Sequence, residues 1–109
     1  MAPMFAYTVK AEFESEAVAS EWLRWLEHGH LQGVIEGGAQ EAVLVQLGPL
    51  QFEVRYRFEN ATAFAAYEAG PAVVLRADSL AKFPASRGIK MTRSAGQVLA
   101  ELAVDRGAW

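Results

Sequence analysis

From Phe5 to Phe13 the chain alternates: Phe5, Tyr7, Val9, Ala11 and Phe13 fall on one side, and Ala6, Thr8, Lys10 and Glu12 on the other. A period of two predicts a strand with one buried face. At Ser15, a residue suited to cap a helix, the period changes, and Val18, Trp22, Leu23, Trp25 and Leu26 form a broad apolar stripe at helical spacing. That helix is expected to break near Gly29, resume in "HLQGVIEGG" and end at Gly37 and Gly38. "EAVLVQL" is rich in β-forming residues, and "LQFEVRYRFE" alternates again, with Leu50, Phe52, Val54, Tyr56 and Phe58 set against Gln51, Glu53, Arg55, Arg57 and Glu59. Gly48 and Pro49 between the two predict a hairpin turn.

Asn60 offers a cap to a second helical region, "ATAFAAYEAG", which Gly70 and Pro71 punctuate. "AVVLRADSLAKF" continues it, with Val73, Val74, Leu80 and Phe83 expected inward, until Pro84 stops it. "GIKMTR" reads as a short last strand. In the segment 94–109, Val98, Leu99 and Leu102 at helical spacing predict a short amphipathic helix or an extension packed on a neighbouring subunit, with Trp109 either loose or docked there.

The order β-α-β-β-α-β fits an α+β fold: a ferredoxin-like sandwich with a four-stranded antiparallel sheet and both helices on one face. One domain spanning residues 1–109 is expected, with the first and third strands central and adjacent. Thr8, Lys10, Glu12, Gln51, Glu53, Arg55 and Arg57 then share the sheet face away from the helices, joined by Lys90 and Thr92 from the last strand. Such a face needs water or a second sheet against it. Two of them facing each other make a dimeric α/β barrel, so a homodimer is expected.

Composition narrows the setting. A chain of 109 residues with 52% hydrophobic and 21% charged residues is long enough and apolar enough for one core without staples. The sequence holds 0 cysteines, so disulfides, thiolate metal sites and a cysteine nucleophile are excluded. No apolar run approaches the roughly 20 residues that cross a bilayer, and "MAPMFAYTVKAEF" does not read as a signal peptide. A cytoplasmic protein with no membrane partner is expected. A net charge of -3 argues against nucleic acid as a partner. The charge is unevenly spread: Glu12, Glu14, Glu16, Glu21, Glu27, Glu36 and Glu41 face Arg24 alone, whereas Arg76, Lys82, Arg87, Lys90 and Arg93 face Asp78 alone. Two solvated faces account for this; an anion site in the second half, or complementary subunit surfaces, are the functional readings.

His28 and His30 are about 200° apart on a helix and cannot share an ion there. No metal site and no cofactor are expected, since glycine-rich phosphate loops, dinucleotide patterns and nucleophile elbows are all missing. Trp22 and Trp25 read as core. His30 is the one candidate general base or ligand contact, against the plainer role of a hydrogen-bonding residue at the helix break. Arg55 or Arg57, helped by Arg93, are the candidates for holding a carboxylate or other small anion inside a barrel.

The ordered set Trp22 and Trp25, then His30, then Leu75, Arg76, Ser79, Leu80, Lys82 and Phe83, then Arg93 resembles a bacterial domain-of-unknown-function family, DUF4286-like, within the dimeric α/β-barrel superfamily. The resemblance runs over nearly the whole chain. It implies a ferredoxin-like fold and a dimer, and no assigned activity, because related barrels host monooxygenases, isomerases and simple binders. Two functions follow as expectations: a homodimeric structural or small-ligand-binding protein, whose ligand is a small anionic or aromatic molecule, and a cofactor-independent oxygenase or isomerase acting on a small acidic or aromatic metabolite.

Overall fold

The computed structural model describes residues 3–102. Strand β1 is Phe5–Phe13, β2 Glu41–Gly48, β3 Gln51–Phe58 and β4 Ile89–Gln97, and they form one antiparallel sheet in the order β2-β3-β1-β4. The alternating first and third strands are central and adjacent, as their pattern required. Register aligns Val9 with Val54 on one side and with Arg93 on the other, and aligns Tyr7 with Tyr56 and Ala95 in the next row of the same face. β2 and β3 are joined by Pro49 and Leu50 in a tight hairpin with a bulge between Gln46 and Gly48.

Helix α1 is Glu16–Trp25, capped by the Ser15 hydroxyl, which accepts from the Val18 amide at 3.4 Å. Helix α3 is Ala61–Ala69, capped by Asn60 Oδ1, which accepts from the Ala63 amide at 2.8 Å. Each cap satisfies one of the donors a helix start leaves open. The predicted break is present: Leu26–His30 forms a wide kinked turn with Gly29 at φ 152, after which helix α2 runs Leu31–Glu36. That φ is open to glycine and strained for other residues. The second helical region is split at Gly70, with Pro71 opening helix α4, Pro71–Lys82.

One face of the sheet carries the helices. Tyr7, Ala11, Phe13, Phe52, Val54, Tyr56 and Phe58 are buried there with Trp22, Leu26, Val34, Tyr67 and Phe83. Phe13, Trp22 and Phe52 pack ring to ring at one end, and Phe5, Phe58, Phe64 and Tyr67 at the other. The far face holds the expected polar residues, together with Val43, Val45 and Leu47 of β2, and among the described residues no helix or strand covers it.

Two expectations change. Val73, Val74 and Leu80 do not face the core: they are 62%, 72% and 64% exposed, and α4 instead turns Ala72, Leu75, Arg76, Ser79 and Phe83 inward. The reason is polar. Arg76 is tied to Glu68 and Tyr7 beneath the helix, and turning α4 to bury Val73, Val74 and Leu80 would break both contacts. The last strand is also longer than read, reaching Gln97, so residues 94–97 are strand; residues 98–102 take no regular element, and the Val98 amide donates to the Met4 carbonyl at 2.9 Å. Residues 103–109, with Trp109, lie outside the described residues.

Candidate functional site

The middle row of the helix-facing sheet side carries Val54, Val9 and Arg93. Over it, between the sheet and helices α1 and α4, lies a cleft walled by Tyr7, Tyr56 and Tyr67, Trp25, His30, Arg76 and Arg93, with Ser79, Leu75 and Met91 completing it. Its cavity volume is about 30 Å³, and it opens to solvent beside the exposed Arg93.

The kink at Gly29 shapes one wall. By breaking the helix between Leu26 and Leu31, it turns His30 back onto Trp25, and the two rings stack at 4.1 Å with 22° between their planes. The Trp25 indole donates to Asp78 Oδ2 at 3.3 Å, which anchors the stack to α4. Gly33 lets α2 come close to α4: a Cβ there would lie 3.0 Å from Leu75 Cδ2. Burial pushes the His30 pKa down to about 4, the positive charge of Arg93 adds to this, and Asp78 opposes it. At neutral pH His30 is therefore an uncharged imidazole, and its Nδ1 is buried without a hydrogen-bond partner.

The opposite wall is a charge pair with a tyrosine. Arg76 Nη1 donates to Glu68 Oε2 at 2.7 Å, Arg76 Nη2 pairs with Glu68 Oε1, and Nη2 also donates to the Tyr7 hydroxyl at 3.2 Å. The hydrogen bond to Glu68 holds the Arg76 pKa up, so its charge is permanent and largely neutralised in place. Its Nε is the second buried nitrogen without a partner. Burial, reinforced by neighbouring tyrosines, raises the pKa of Tyr56, and burial raises that of Tyr67 to about 12, so both phenols stay protonated. Because Arg76 occupies the Tyr7 oxygen as an acceptor, the Tyr7 proton is free to be donated elsewhere.

The sequence candidates are thus divided. His30 and Arg93 meet in the cleft, while Arg55 and Arg57 lie on the opposite side of the sheet and cannot act with Arg93 in one site. The period-two rule already contains this: Arg93 alternates with Thr92, which shares the far face with Lys90. On that far face Arg55 Nε pairs with Glu53 at 2.8 Å, Gln51 donates to Glu12 at 3.3 Å, and Arg57 pairs with Glu101. Trp22 is core as expected, but Trp25 is half-buried and forms cleft wall. Tyr7, Tyr56, Tyr67 and Arg76 were not singled out as site residues; the three tyrosines follow the core alternation and look like packing until Arg93 and Arg76 are placed beside them. No cluster of three or more His, Asp or Glu side chains able to hold a metal ion occurs among the described residues.

No protein-family model matches the chain, and no curated protein matches it. Its fold is shared with solved structures. A dimeric ferredoxin-like protein from an uncultured marine organism superposes with a TM-score of 0.67 at 16% identity, over 92% of this chain and 99% of that one. A monooxygenase of Streptomyces coelicolor, solved in complex with nanaomycin D, gives 0.71 at 13% identity over 94% of each chain. The cofactor-independent oxygenase SnoaB of Streptomyces nogalater, as its N63A mutant, gives 0.69 at 11% identity, over 93% of this chain and 98% of that one. The chain therefore has the ferredoxin-like α+β fold of dimeric ferredoxin-like proteins. Among the described residues no helix is long and apolar enough to cross a membrane.

Proposed function

We propose that this is a cytoplasmic homodimeric α/β-barrel protein that binds a small anionic aromatic molecule in the cleft between its sheet and its helices. One observation carries the ligand assignment: Arg93 enters a cleft lined by tyrosine, tryptophan and histidine rings and by no carboxylate, and it has no ion-pair partner among the described residues. A guanidinium beside aromatic walls suits a ring bearing a carboxylate, through paired hydrogen bonds at one end and ring contact along the other. The dimer is supported by the uncovered far face of the sheet, where Val43 and Leu47 are each 43% exposed among charged residues, and by the dimeric state stated for a structural neighbour. Arg55 and Arg57 then belong to the seam between two sheets, and residues 94–102 extend along it.

Native mass spectrometry of the protein as purified from cells tests both parts. A dimer carrying a reproducible small extra mass is the expected spectrum; a monomer at micromolar concentration contradicts the barrel, and an empty dimer that takes up no added benzoate contradicts the ligand site. Membership of the DUF4286-like family belongs to the same reading. It is supported by the convergence of Trp22, Trp25, His30, Leu75, Arg76, Ser79 and Arg93 on one cleft; a member of that family whose corresponding histidine and arginine fall on opposite sheet faces would remove it.

A second reading, a cofactor-independent enzyme that begins by taking a proton from its ligand, rests on the place of the His30 imidazole in the cleft wall. Faster exchange of the α-protons of 2-tetralone into D2O with the native protein than with His30→Ala is its expected signature. Equal rates would remove it.

A further inference from the structure

We infer that the hydroxyls of Tyr7 and Tyr56 form a two-donor cradle for one carbonyl oxygen, so that the aromatic anion bound in the cleft also carries a ketone. This rests on the cleft reading proposed above and specifies its ligand. The two tyrosines are directly paired on β1 and β3, and both line the cleft. Their rings stack with centroids 5.7 Å apart and 21° between their planes. Side chains that leave paired positions on one sheet face rise side by side, so the phenol oxygens at their tips stand at much the same spacing as the rings. One oxygen accepts from two hydroxyls when these are about 5.5 Å apart, twice the usual O–H···O length.

Both protons are free for a ligand. The Tyr7 oxygen accepts from Arg76 Nη2 at 3.2 Å, which leaves its own proton to be given elsewhere and strengthens it as a donor. Tyr56 is 3% exposed, and no hydrogen bond acts on its hydroxyl among the described residues. Yet the fully enclosed polar atoms without a partner are His30 Nδ1 and Arg76 Nε, and the Tyr56 oxygen is not one of them. The little surface left to Tyr56 therefore includes its hydroxyl, and the space it meets is the cleft. Tyr7 and Arg93 are both near enough to bias the ionisation of Tyr56, which sets the three groups around one space. A carbonyl oxygen offers two lone pairs and no proton, matching two donors; a hydroxyl brings a proton too, for which no carboxylate lines the cleft. Arg93 pairs with Val9, two positions from Tyr7 and so roughly 7 Å along the strand. That separation suits an anion and a ketone at opposite ends of one ring.

The probes are 4-acetylbenzoate and 4-isopropylbenzoate, which share a shape and differ in the carbonyl oxygen. Binding is followed by NMR on the Trp25 indole N–H resonance. The native protein should bind the ketone about tenfold more tightly, because the isopropyl probe leaves two donors unpaired. In Tyr56→Phe that ratio should fall toward one, while in Arg93→Ala both probes should weaken together and the ratio persist. A second readout needs no variant: with carbon-13 at the ketone, the carbonyl stretch of the probe bound to the native protein should lie below its frequency in water. Equal native affinities, a stretch at or above the value in water, or a ratio that survives Tyr56→Phe overturns the cradle and leaves the aromatic-anion cleft standing. Binding of neither probe overturns the cleft itself.

Discussion

His30 is held uncharged by its surroundings, and this makes the stability of the protein depend on pH in a defined window. Its ring is stacked on Trp25, its pKa is lowered from 6.5 to about 4 by burial with help from Arg93, and the Asp78 carboxylate pulls it the other way. Above pH 6.5 the imidazole is neutral in both folded and unfolded chains, and the folded state keeps its full advantage. Between 6.5 and about 4 the unfolded chain takes up a proton that the folded chain refuses, so stability falls with falling pH; below about 4 both are protonated and the loss is complete. The whole gap corresponds to about 3 kcal/mol, and because the ring is only half-buried, about 2 kcal/mol is the magnitude to expect. Urea denaturation of the native protein and His30→Phe at pH 7 and pH 4.5 isolates the contribution, since the carboxylates are common to both. The native protein should lose about 2 kcal/mol more than the variant. An NMR titration of the His30 ring should find its midpoint near 4. Equal losses in the two proteins, or a midpoint at 6 or above, would refute the reasoning.

Two further outcomes follow from packing. Trp22 is 2% exposed and wedged between Phe13 and Phe52, so Trp22→Ala should cost about 3–5 kcal/mol in denaturant unfolding; a loss under 1 kcal/mol would mean that the aromatic end of the core is not close-packed. Gly29→Ala meets no steric neighbour but must hold φ 152, so it should cost about 1 kcal/mol or more through backbone strain alone, and an unchanged midpoint would show that the helix break can adopt another geometry.

Much of this architecture was legible locally. Period-two runs placed β1 and β3, Ser15 and Asn60 announced the starts of α1 and α3, and "HGH" marked the break that aims His30 at the cleft. What was not legible is non-local. The inward face of α4 is decided by Arg76 meeting Tyr7, 69 positions away, and no periodicity of Val73, Val74 and Leu80 can report that contact. The side of the sheet on which Arg93 stands could have been read from alternation with Lys90 and Thr92, yet charge similarity drew it toward Arg55 and Arg57. Tyr7, Tyr56 and Tyr67 were hidden for a different reason: a core tyrosine and a cleft tyrosine occupy the same positions in a strand pattern, and only the helix laid over them tells which is which.

The central claim is that the ligand binds on the helix side of the sheet, at Arg93, and that the charged far face does not hold it. Titrating benzoate into the native protein, Arg93→Ala and Arg55→Ala, with the Trp25 indole N–H as reporter, tests it directly. The account predicts at least tenfold weaker binding in Arg93→Ala and native affinity in Arg55→Ala. Loss of binding in Arg55→Ala with Arg93→Ala unaffected would contradict it and return the site to the seam between two sheets.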